Sequence, residues 1–218
     1  MARLRLGVLV SGRGSNLQAL IDACSDPDFP AEVALVLSNV AGAPAIERAR
    51  RAGLPTLVLP HRDYASRAEF DGAVHAALAD AGVGLVCLAG FMRLLTPGFV
   101  DAWRDRMVNI HPSLLPAFKG LHPQQQALDA GVRVSGCTVH FVRNEMDSGP
   151  ILVQAVVPVL PDDTAEILAD RILGAEHAAY PLAVRLIAEG RVRVEGERAI
   201  VSGGDWRAVP LMVPGAGA

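Results

Sequence analysis

The sequence is poor in cysteine, and it lacks both a long hydrophobic run and a block of basic residues. Its three cysteines, Cys24, Cys87 and Cys137, lie far apart in apolar stretches. An odd number of scattered cysteines argues against a disulfide framework, and we expect reduced core residues in a cytoplasmic protein. The apolar run near the N-terminus covers about six residues, which is too short for a signal peptide or a membrane span.

The charge balance excludes further classes of protein. Lys and Arg number 20 against 23 Asp and Glu, which gives a net charge of −3. Proteins that bind nucleic acid usually present a basic face, so we expect no nucleic-acid partner. The short apolar run likewise leads us to expect no membrane partner. Motifs that hold metal ions, such as HExxH, CxxC or an EF-hand loop, are absent from the sequence, and we expect no metal.

The length and composition predict one domain. The 218 residues, of which 51% are hydrophobic, are enough for a single sizeable core. We place this domain at residues 1–203. Residues 204–218 are rich in Gly, Pro and Ala, and we expect them to form a loosely ordered tail. Both a monomer and a homodimer are compatible with the sequence.

Short apolar runs alternate with amphipathic segments over the first ninety residues, which is typical of a doubly wound α/β fold with a Rossmann-like, mostly parallel sheet. Mixed strands and a long late helix follow. Asp163 and Glu166 form a plausible capping pair for this helix, and we expect Pro181 to kink or split it. The predicted strands are 4–10, 32–38, 56–59, 85–89, 107–110, 136–143 and 151–158; the first three helices begin at Ser15, Pro44 and Ser66, and the late helix spans 163–189.

The loop Ser-Gly-Arg-Gly-Ser-Asn at residues 11–16 lies between the first predicted strand and the first helix. Glycines let a ligand approach the backbone, and a helix N-terminus attracts anions. Leu17 stands where a dinucleotide fingerprint has its third glycine, and the Gly-Lys-Ser/Thr of a P-loop is absent. The loop therefore predicts a small phosphorylated ligand rather than NAD or ATP, with an ordinary tight turn as the alternative.

Asn109 and His111 stand at the end of the predicted strand 107–110. Side chains two residues apart point to the same side of a strand, and ligands of open α/β sheets bind beyond the carboxyl ends of the strands. Pro112 and Pro116 stiffen the loop that follows. The pair predicts hydrogen bonds to one reacting carbonyl oxygen, and a structural histidine in a rigid turn is the alternative.

Asp147 lies in the loop between the last two predicted strands of the sheet. A carboxylate beside an imidazole favours the protonated ring, which stabilises a developing oxyanion. We therefore hypothesise that Asp147 pairs with His111. Sequence spacing alone does not bring the two residues together, and a solvated hairpin is the alternative.

Four motifs occur in order along the chain: the runs at residues 10–19, 88–93 and 109–116, and the Asp-Ser-Gly-Pro turn at 147–150. Together they resemble the phosphoribosylglycinamide formyltransferase family, whose members use folate in purine biosynthesis. The similarity extends over roughly residues 4–190. The Asn-x-His motif and the Asp turn are shared with all transferases that use 10-formyltetrahydrofolate, whereas the Ser-Gly-x-Gly-Ser-Asn start is more particular to this family.

The resemblance implies a reaction between two small molecules. The formyl group of 10-formyltetrahydrofolate would pass to the amine of 5-phosphoribosylglycinamide, with no metal and no covalent intermediate. Asn109 and protonated His111 would hold the formyl oxygen, and Asp147 would sustain the proton on His111.

The resemblance also implies binding residues for both ligands. Gly14, Ser15 and Asn16 would hold the ribose phosphate, and Glu176 would contact the phosphorylated substrate. The folate would lie against Arg67, Met92, Arg93, Leu94, Leu95, Asn109, Arg143, Asn144, Glu145, Met146 and Asp147.

The loop after the Asn-x-His motif carries two further expectations from the resemblance. Lys119 and Gln125 would close over the site. The Leu115–Pro116 peptide bond would be cis, as it often is in this family.

Three alternatives share part of this pattern. Formyltetrahydrofolate hydrolase uses the same catalytic residues with water in place of the amine, and it carries an extra N-terminal domain. Methionyl-tRNA formyltransferases carry an RNA-binding domain after the catalytic one, whereas about 28 residues follow Gly190 here. A non-catalytic protein that binds a phosphorylated metabolite would need the glycine loop but not Asn109, His111 and Asp147, so the presence of all three favours an enzyme.

Overall fold

A seven-stranded sheet forms the centre of the computed structural model, which describes residues 2–203 and Val213. The strands are β1 (Leu4–Val10), β2 (Ala31–Ser38), β3 (Thr56–Val58), β4 (Leu85–Leu88), β5 (Met107–His111), β6 (Val134–Phe141) and β7 (Ile151–Pro158). They lie in the order β3-β2-β1-β4-β5-β6-β7. The first five strands run parallel, whereas β6 pairs antiparallel with both β5 and β7.

Helices cover both faces of this sheet. They are α1 (Ser15–Ser25), α2 (Pro44–Arg51), α3 (Arg67–Asp80), α4 (Pro97–Ala102), α5 (Pro123–Asp129) and α6 (Ala165–Ala188), with a 3-10 turn at His61–Asp63. One apolar cluster joins the sheet to α1, α2 and α6, and a second joins the opposite face to α3 and α4. Because both faces are covered, the parallel strands are apolar on both sides. A separate hairpin of β8 (Val192–Glu195) and β9 (Arg198–Val201) follows α6.

The doubly wound, mostly parallel fold predicted from the sequence is confirmed. The predicted bounds of β1 and β7 coincide with the observed ones, and those of the other predicted strands agree within two residues. The helices α4 and α5 were not predicted, because six or seven residues are too short to display a helical period. The strands β8 and β9 were also not predicted, although Val192 and Val194 alternate with charged residues in β8. The predicted tail at residues 204–218 lies, apart from Val213, outside the described residues.

The late helix α6 is unbroken. It spans 24 residues with Pro181 inside it, so the helix is not split at this residue, and the alternative of a kink stays a prediction. Tyr180, Ala183 and Val184 are buried around the same turn, and their packing outweighs the hydrogen bond that proline removes. Neither α6 nor any other helix within residues 2–203 has both the length and the apolar character needed to cross a bilayer.

The start of α6 also differs from the prediction. Thr164 precedes the helix, and its side chain accepts a hydrogen bond from the backbone N–H of Ile167. Asp163, which was predicted to cap the helix with Glu166, instead binds the guanidinium of Arg171 through both carboxylate oxygens. The predicted capping pair is wrong because the N-cap position falls one residue later, on a threonine.

The hydroxyl of Tyr180 hydrogen-bonds to two central strands of the sheet, β4 and β5. Its side chain is fully buried, and burial raises the pKa of its hydroxyl well above the ordinary value. The hydroxyl lies 3.0 Å from the carbonyl oxygen of Leu88 at the end of β4 and 3.3 Å from that of Val108 in β5. One buried donor therefore serves carbonyl groups on adjacent strands.

The substitution Tyr180→Phe should lower the free energy of unfolding by about 1 to 2 kcal/mol, because it leaves buried carbonyl oxygens without their donor. Urea denaturation of both proteins measures the difference. Tyr64, the other tyrosine of the chain, is only partly buried, and Tyr64→Phe should change the stability by less than about 0.5 kcal/mol. Equal losses in the two variants would contradict the role assigned to Tyr180.

Candidate active site

Loops at the carboxyl ends of β1, β4 and β5 meet at one edge of the sheet. The glycine loop 11–16 follows β1, the segment 89–96 follows β4, and His111 ends β5. Strand β1 pairs with β2 on one side and with β4 on the other. The strand order therefore reverses its direction at β1. Ligands of open α/β sheets bind in the crevice that such a switch of direction forms.

The glycine loop is held by packing and by hydrogen bonds to both neighbouring strand ends. Gly14 has a φ of 76°, and a Cβ at this position would lie 2.6 Å from the Cβ of Ala45, so only glycine fits. The Ser11 hydroxyl donates to the side-chain oxygen of Asn39 at 2.6 Å and accepts from the backbone N–H of Met92 at 2.8 Å. The loop after β1 is therefore tied to the ends of β2 and β4.

The first turn of α1 carries a partly buried amide–carboxylate pair. Gly14 occupies the N-cap position and has no side chain to satisfy the first backbone N–H groups, which leaves them for an anion. Asn16 donates from Nδ2 to Oε2 of Glu176 on α6 at 2.7 Å. Burial raises the pKa of the Glu176 carboxyl, and the hydrogen bond from Asn16 opposes this shift. The structure thus brings together two residues that the resemblance assigned to the phosphorylated substrate.

His111 and Asp147 face each other, as hypothesised from the sequence. Nδ1 of His111 lies 3.5 Å from Oδ1 of Asp147, and the two side chains are 7% and 11% exposed. Nε2 of His111 donates to the carbonyl oxygen of Phe118 at 2.9 Å, because a carbonyl group only accepts. Oδ2 of Asp147 accepts from the backbone N–H of Gly120 at 2.7 Å. Both groups that the ring nitrogens face are therefore hydrogen-bond acceptors.

Asn109 pairs with a buried histidine on the neighbouring strand. Asn109 and His140 are directly opposite in the antiparallel ladder of β5 and β6. Nδ1 of His140 lies 3.0 Å from the carbonyl oxygens of Phe141 and Ser148, so this nitrogen carries the proton. Burial lowers the pKa of His140, so the ring is neutral and Nε2 accepts from Nδ2 of Asn109 at 3.3 Å. The Asn109 amide is thereby oriented and keeps a second N–H to donate.

The loops around these residues contain unusual backbone conformations. Phe118, His122 and Asp147 have φ values of 54°, 56° and 47° although none of them is glycine. Such conformations raise the free energy and cluster at functional sites, where the surrounding structure holds them. The Leu115–Pro116 peptide bond is cis, as predicted.

The segment after β4 presents apolar side chains beside a stacked arginine. Met92 and Leu94 are 69% and 57% exposed, and two large exposed apolar groups next to a crevice are typical of a ligand-binding surface. Arg93 stacks on Phe70 of α3, with its Cζ 4.8 Å from the ring centroid. Arg67 is exposed at the first residue of α3, one turn before Phe70. Two of the three predicted folate-binding arginines, Arg67 and Arg93, therefore lie at the same end of α3.

Known proteins resemble this chain in sequence and fold. A profile of the family described as formyl transferase matches residues 4–184. The phosphoribosylglycinamide formyltransferase of Escherichia coli strain K12 is 42% identical over 92% of this chain and 94% of its own length. The crystal structure of glycinamide ribonucleotide transformylase 1 from Symbiobacterium toebii is 53% identical, has a TM-score of 0.89, and covers 91% of this chain and 94% of that one. The chain belongs to the phosphoribosylglycinamide formyltransferase family.

Longer proteins also contain a part similar to this formyltransferase. The trifunctional purine biosynthetic protein adenosine-3 of Homo sapiens is 48% identical over 88% of this chain, but the match covers 19% of that protein. The chain thus spans less than a fifth of the length of the trifunctional relatives. The formyltetrahydrofolate deformylase of Burkholderia mallei has a TM-score of 0.83 at 30% identity, and it covers 92% of this chain and 70% of that one.

Some residues that the formyltransferase family predicts for folate have side chains engaged within the protein. Arg143 forms ion pairs with Asp105 and Glu197. Asn144 donates to the carboxylate of Asp101. Any folate contact of Arg143 and Asn144 would therefore come from their backbone. In addition, Glu145 and Met146 are exposed in the same loop, and Leu95 is partly buried after β4.

The loop expected to close over the formyltransferase site is anchored at its far end. Lys119 is exposed, and Gln125 donates to Asp129 within α5. The neighbouring Gln126 holds the loop by donating to the carbonyl oxygens of Lys119 and Leu121. Closure of Lys119 and Gln125 over the site stays a prediction.

The three cysteines carry free thiols. Burial raises the pKa of Cys24 to about 11 and that of Cys137 to about 12, and it raises the pKa of Cys87 as well. These thiols are therefore protonated and unreactive at neutral pH. Within residues 2–203, no group of three or more His, Cys, Asp or Glu side chains is arranged to hold a metal ion.

Sequence reasoning missed His140 and Thr138, which face Asn109 and His111 across the ladder of β5 and β6. The Thr138 hydroxyl accepts from the backbone N–H of Leu115 at 3.0 Å, so it holds the loop that follows β5. A signal was present in the sequence: the two polar residues alternate within an apolar strand, at the same spacing as the Asn-x-His motif.

The buried His140 makes the stability of this formyltransferase depend on pH. Its pKa is below the ordinary value of 6.5 in the folded protein and returns towards that value on unfolding. Below pH 6.5 the unfolded chain binds a proton that the folded chain does not, so the stability present above 6.5 is lost as the pH falls towards the lower pKa. Substituting His140→Gln should shrink the loss of unfolding free energy between pH 7 and pH 5.5 by about 1 kcal/mol.

Urea denaturation at the two pH values measures this loss. The exposed His75 provides the matched control, because His75→Gln should leave the pH dependence unchanged. The assignment is wrong if both variants lose as much stability on acidification as the native sequence does.

Proposed function

We propose that residues 1–203 act as one formyltransferase domain that serves purine biosynthesis in the cytoplasm. The chain would transfer the formyl group of 10-formyltetrahydrofolate to the amine of 5-phosphoribosylglycinamide, without a metal. The observation that carries this proposal is the contact of His111 with Asp147 beside Asn109, at the same sheet edge as the glycine loop. Membership of the formyltransferase family supports the class of reaction.

In the proposed reaction the substrate amine attacks the formyl carbon. A C–N bond forms, and the formyl oxygen gains negative charge. The bond between the formyl carbon and N10 of the folate then breaks, so that tetrahydrofolate leaves. The amine loses one proton and N10 gains one, which balances the transfer without a covalent enzyme intermediate.

Asn109 and His111 supply hydrogen bonds to the developing oxyanion. One N–H of the Asn109 amide is directed to His140, which leaves the other for the formyl oxygen. The protonated ring of His111 would be the second donor, with Nε2 exchanging the Phe118 carbonyl oxygen for the formyl oxygen while Asp147 faces Nδ1. Preorganised donors of this kind stabilise an oxyanion by about 3 kcal/mol each. The Asp147 carboxylate is also suited to relay the proton released by the amine.

The phosphorylated substrate is expected along the first turn of α1. The backbone N–H groups after Gly14, at Ser15 and Asn16, suit the phosphate, because they point out of the helix at its positive end. Oδ1 of Asn16 is buried without a hydrogen-bond partner within residues 2–203, and a ribose hydroxyl would satisfy it. Glu176, which binds Asn16, provides an acceptor for the amine end of the same molecule.

The folate is expected on the α3 side of the same edge. Met92 and Leu94 offer exposed apolar surface to its rings. Arg67 and Arg93 lie at one end of α3, where guanidinium groups suit the carboxylates of a folate tail. The loop 143–147 would complete the pocket through backbone hydrogen bonds.

Hydrolysis of 10-formyltetrahydrofolate is the second candidate function. The likeness to the deformylase of Burkholderia mallei favours it, because the two folds agree at 30% identity. The pair of Asn16 and Glu176 beside the glycine loop favours transfer, since water needs neither a phosphate cradle nor a buried carboxylate. Formation of tetrahydrofolate, followed by absorbance with and without 5-phosphoribosylglycinamide, separates the two reactions. Formation without the amine supports hydrolysis, and formation in neither case supports a non-catalytic binding protein.

The substitutions His111→Ala and Asp147→Asn should each lower kcat by about a hundredfold, because each weakens the charged donor to the oxyanion. The KM for the folate should change by less than about threefold, since binding does not depend on that charge. Steady-state rates measure both constants. His75→Ala, at an exposed histidine of α3, should leave both unchanged, and equal rates in all variants would contradict the assignment.

The substitution Glu176→Gln keeps an acceptor for Asn16 but removes the buried charge. It should raise the KM for 5-phosphoribosylglycinamide by about tenfold, because a charge-assisted hydrogen bond to the substrate becomes a neutral one. The KM for the folate should stay unchanged. Initial rates at saturating folate measure the effect, and Glu166→Gln, at an exposed acid of the same helix, is the control. The same KM in both variants would rule out the proposed contact.

A further inference from the structure

Arg143 lies at the base of the loop that carries Asp147, within a cluster of ion pairs. Its Nη2 is 2.8 Å from Oδ1 of Asp105, and its Nε is 2.9 Å from Oε2 of Glu197. The second oxygen of Glu197 lies 3.1 Å from Arg104. Since the Arg143 side chain is only 9% exposed, its charge is compensated by the two carboxylates that it contacts.

Arg143 lies at the start of the Asp147 loop, residues 142–149, and its side chain also packs against the end of this loop. Gly149 ends this loop with a φ of 110°, and a Cβ at this position would lie 2.8 Å from Cγ of Arg143. The stem of the arginine therefore packs directly over the glycine. One side chain at the start of the loop thus covers the backbone at its end.

The hairpin of β8 and β9 supplies the carboxylate that holds this arginine. Glu197 lies in the hairpin turn, beyond residues 4–184 that match the family profile. It joins Arg143 at the loop base to Arg104, which shortly precedes β5, so one carboxylate links three segments of the chain. Exposed ion pairs are individually weak, but a carboxylate that bridges two guanidinium groups, one of them nearly buried, forms a network.

The Asp147 loop needs such support because of its backbone. Asp147 has a φ of 47°, and Asp105, the other partner of Arg143, has a φ of 57°. Residues other than glycine adopt such conformations only where the surroundings hold them. The carboxylate of Asp147 is itself bound by the backbone N–H of Gly120, which belongs to a different loop. The position of this acid therefore depends on how firmly the base of its own loop is fixed.

We propose that Glu197 is a positioning residue for the reaction, because by holding Arg143 it keeps the loop base closed and Asp147 against His111. This inference rests on the proposed function, in which Asp147 sustains the proton on His111. When the loop is in place for only a fraction of the time, kcat falls to that fraction of its full value. The hairpin therefore acts on turnover and not on the binding of the phosphorylated amine.

The substitution Glu197→Gln removes the charge and keeps the shape of the side chain. We expect kcat to fall about fivefold at saturating substrates, with the KM for the phosphorylated amine changed by less than about twofold. Glu197→Asp, which keeps the charge, should recover part of the lost turnover. Glu195→Gln is the matched control, because Glu195 pairs with Arg193 inside the hairpin and should leave kcat unchanged.

Hydrogen exchange of backbone N–H groups gives a readout that does not depend on activity. In Glu197→Gln, exchange in residues 142–149 should become about fivefold faster, while exchange in β5 and β6 should match the native sequence. Added salt should speed up loop exchange in the native protein, because an exposed carboxylate is screened, and it should have little further effect on the variant.

Unchanged loop exchange and unchanged kcat in Glu197→Gln would overturn the proposal. Faster exchange throughout the chain, together with a lower melting temperature, would also overturn it, because the residue would then support only the fold. A native protein that transfers no formyl group would instead contradict the proposed function, and the exchange measurement would still decide whether Glu197 holds the loop.

Discussion

The antiparallel pairing of β5 with β6 is the constraint on which the site depends. It sets Asn109 opposite His140 and His111 opposite Thr138, so that four polar side chains occupy facing positions on the two strands. Strand β6 runs back from the carboxyl edge to the start of β5, where Val142 donates to the carbonyl oxygen of Met107, and the loop that follows brings Asp147 to His111. A slip of β6 by one residue would turn His140 and Thr138 to the opposite face of the sheet, away from Asn109 and His111.

Two histidines in neighbouring strands have different hydrogen-bond partners. His140 directs one nitrogen to two carbonyl oxygens and receives the Asn109 amide on the other, so it is neutral. His111 faces acceptors on both sides, namely a backbone carbonyl oxygen and the Asp147 carboxylate, so it is suited to carry charge. The His140 ring thus orients the Asn109 amide as a donor, whereas the His111 ring is itself a donor, although the two histidines lie on neighbouring strands.

Local signals in the sequence predicted the parallel half of the fold and the Asn-x-His motif, because apolar runs and strand-end spacing are visible within a few residues. The meeting of His111 with Asp147 needed either the family resemblance or the structure, since spacing does not reveal which loops converge. His140 was missed because a single histidine in an apolar strand looks like a core residue. Glu197 was missed because its partner Arg143 lies 54 residues earlier, and exposed acids in a turn carry no signal of their own.

The two apolar clusters lie on opposite faces of the sheet, with α1, α2 and α6 on one side and α3 and α4 on the other. Under the proposed function the two reactants reach the sheet edge from opposite sides. The ribonucleotide lies on the side of α1 and α6, and the folate lies on the side of α3. Substitutions that adapt the protein to a longer or shorter folate tail can then accumulate around α3 without touching the phosphate cradle. Selectivity for the two reactants is therefore modular, and each half can diverge while the other is preserved.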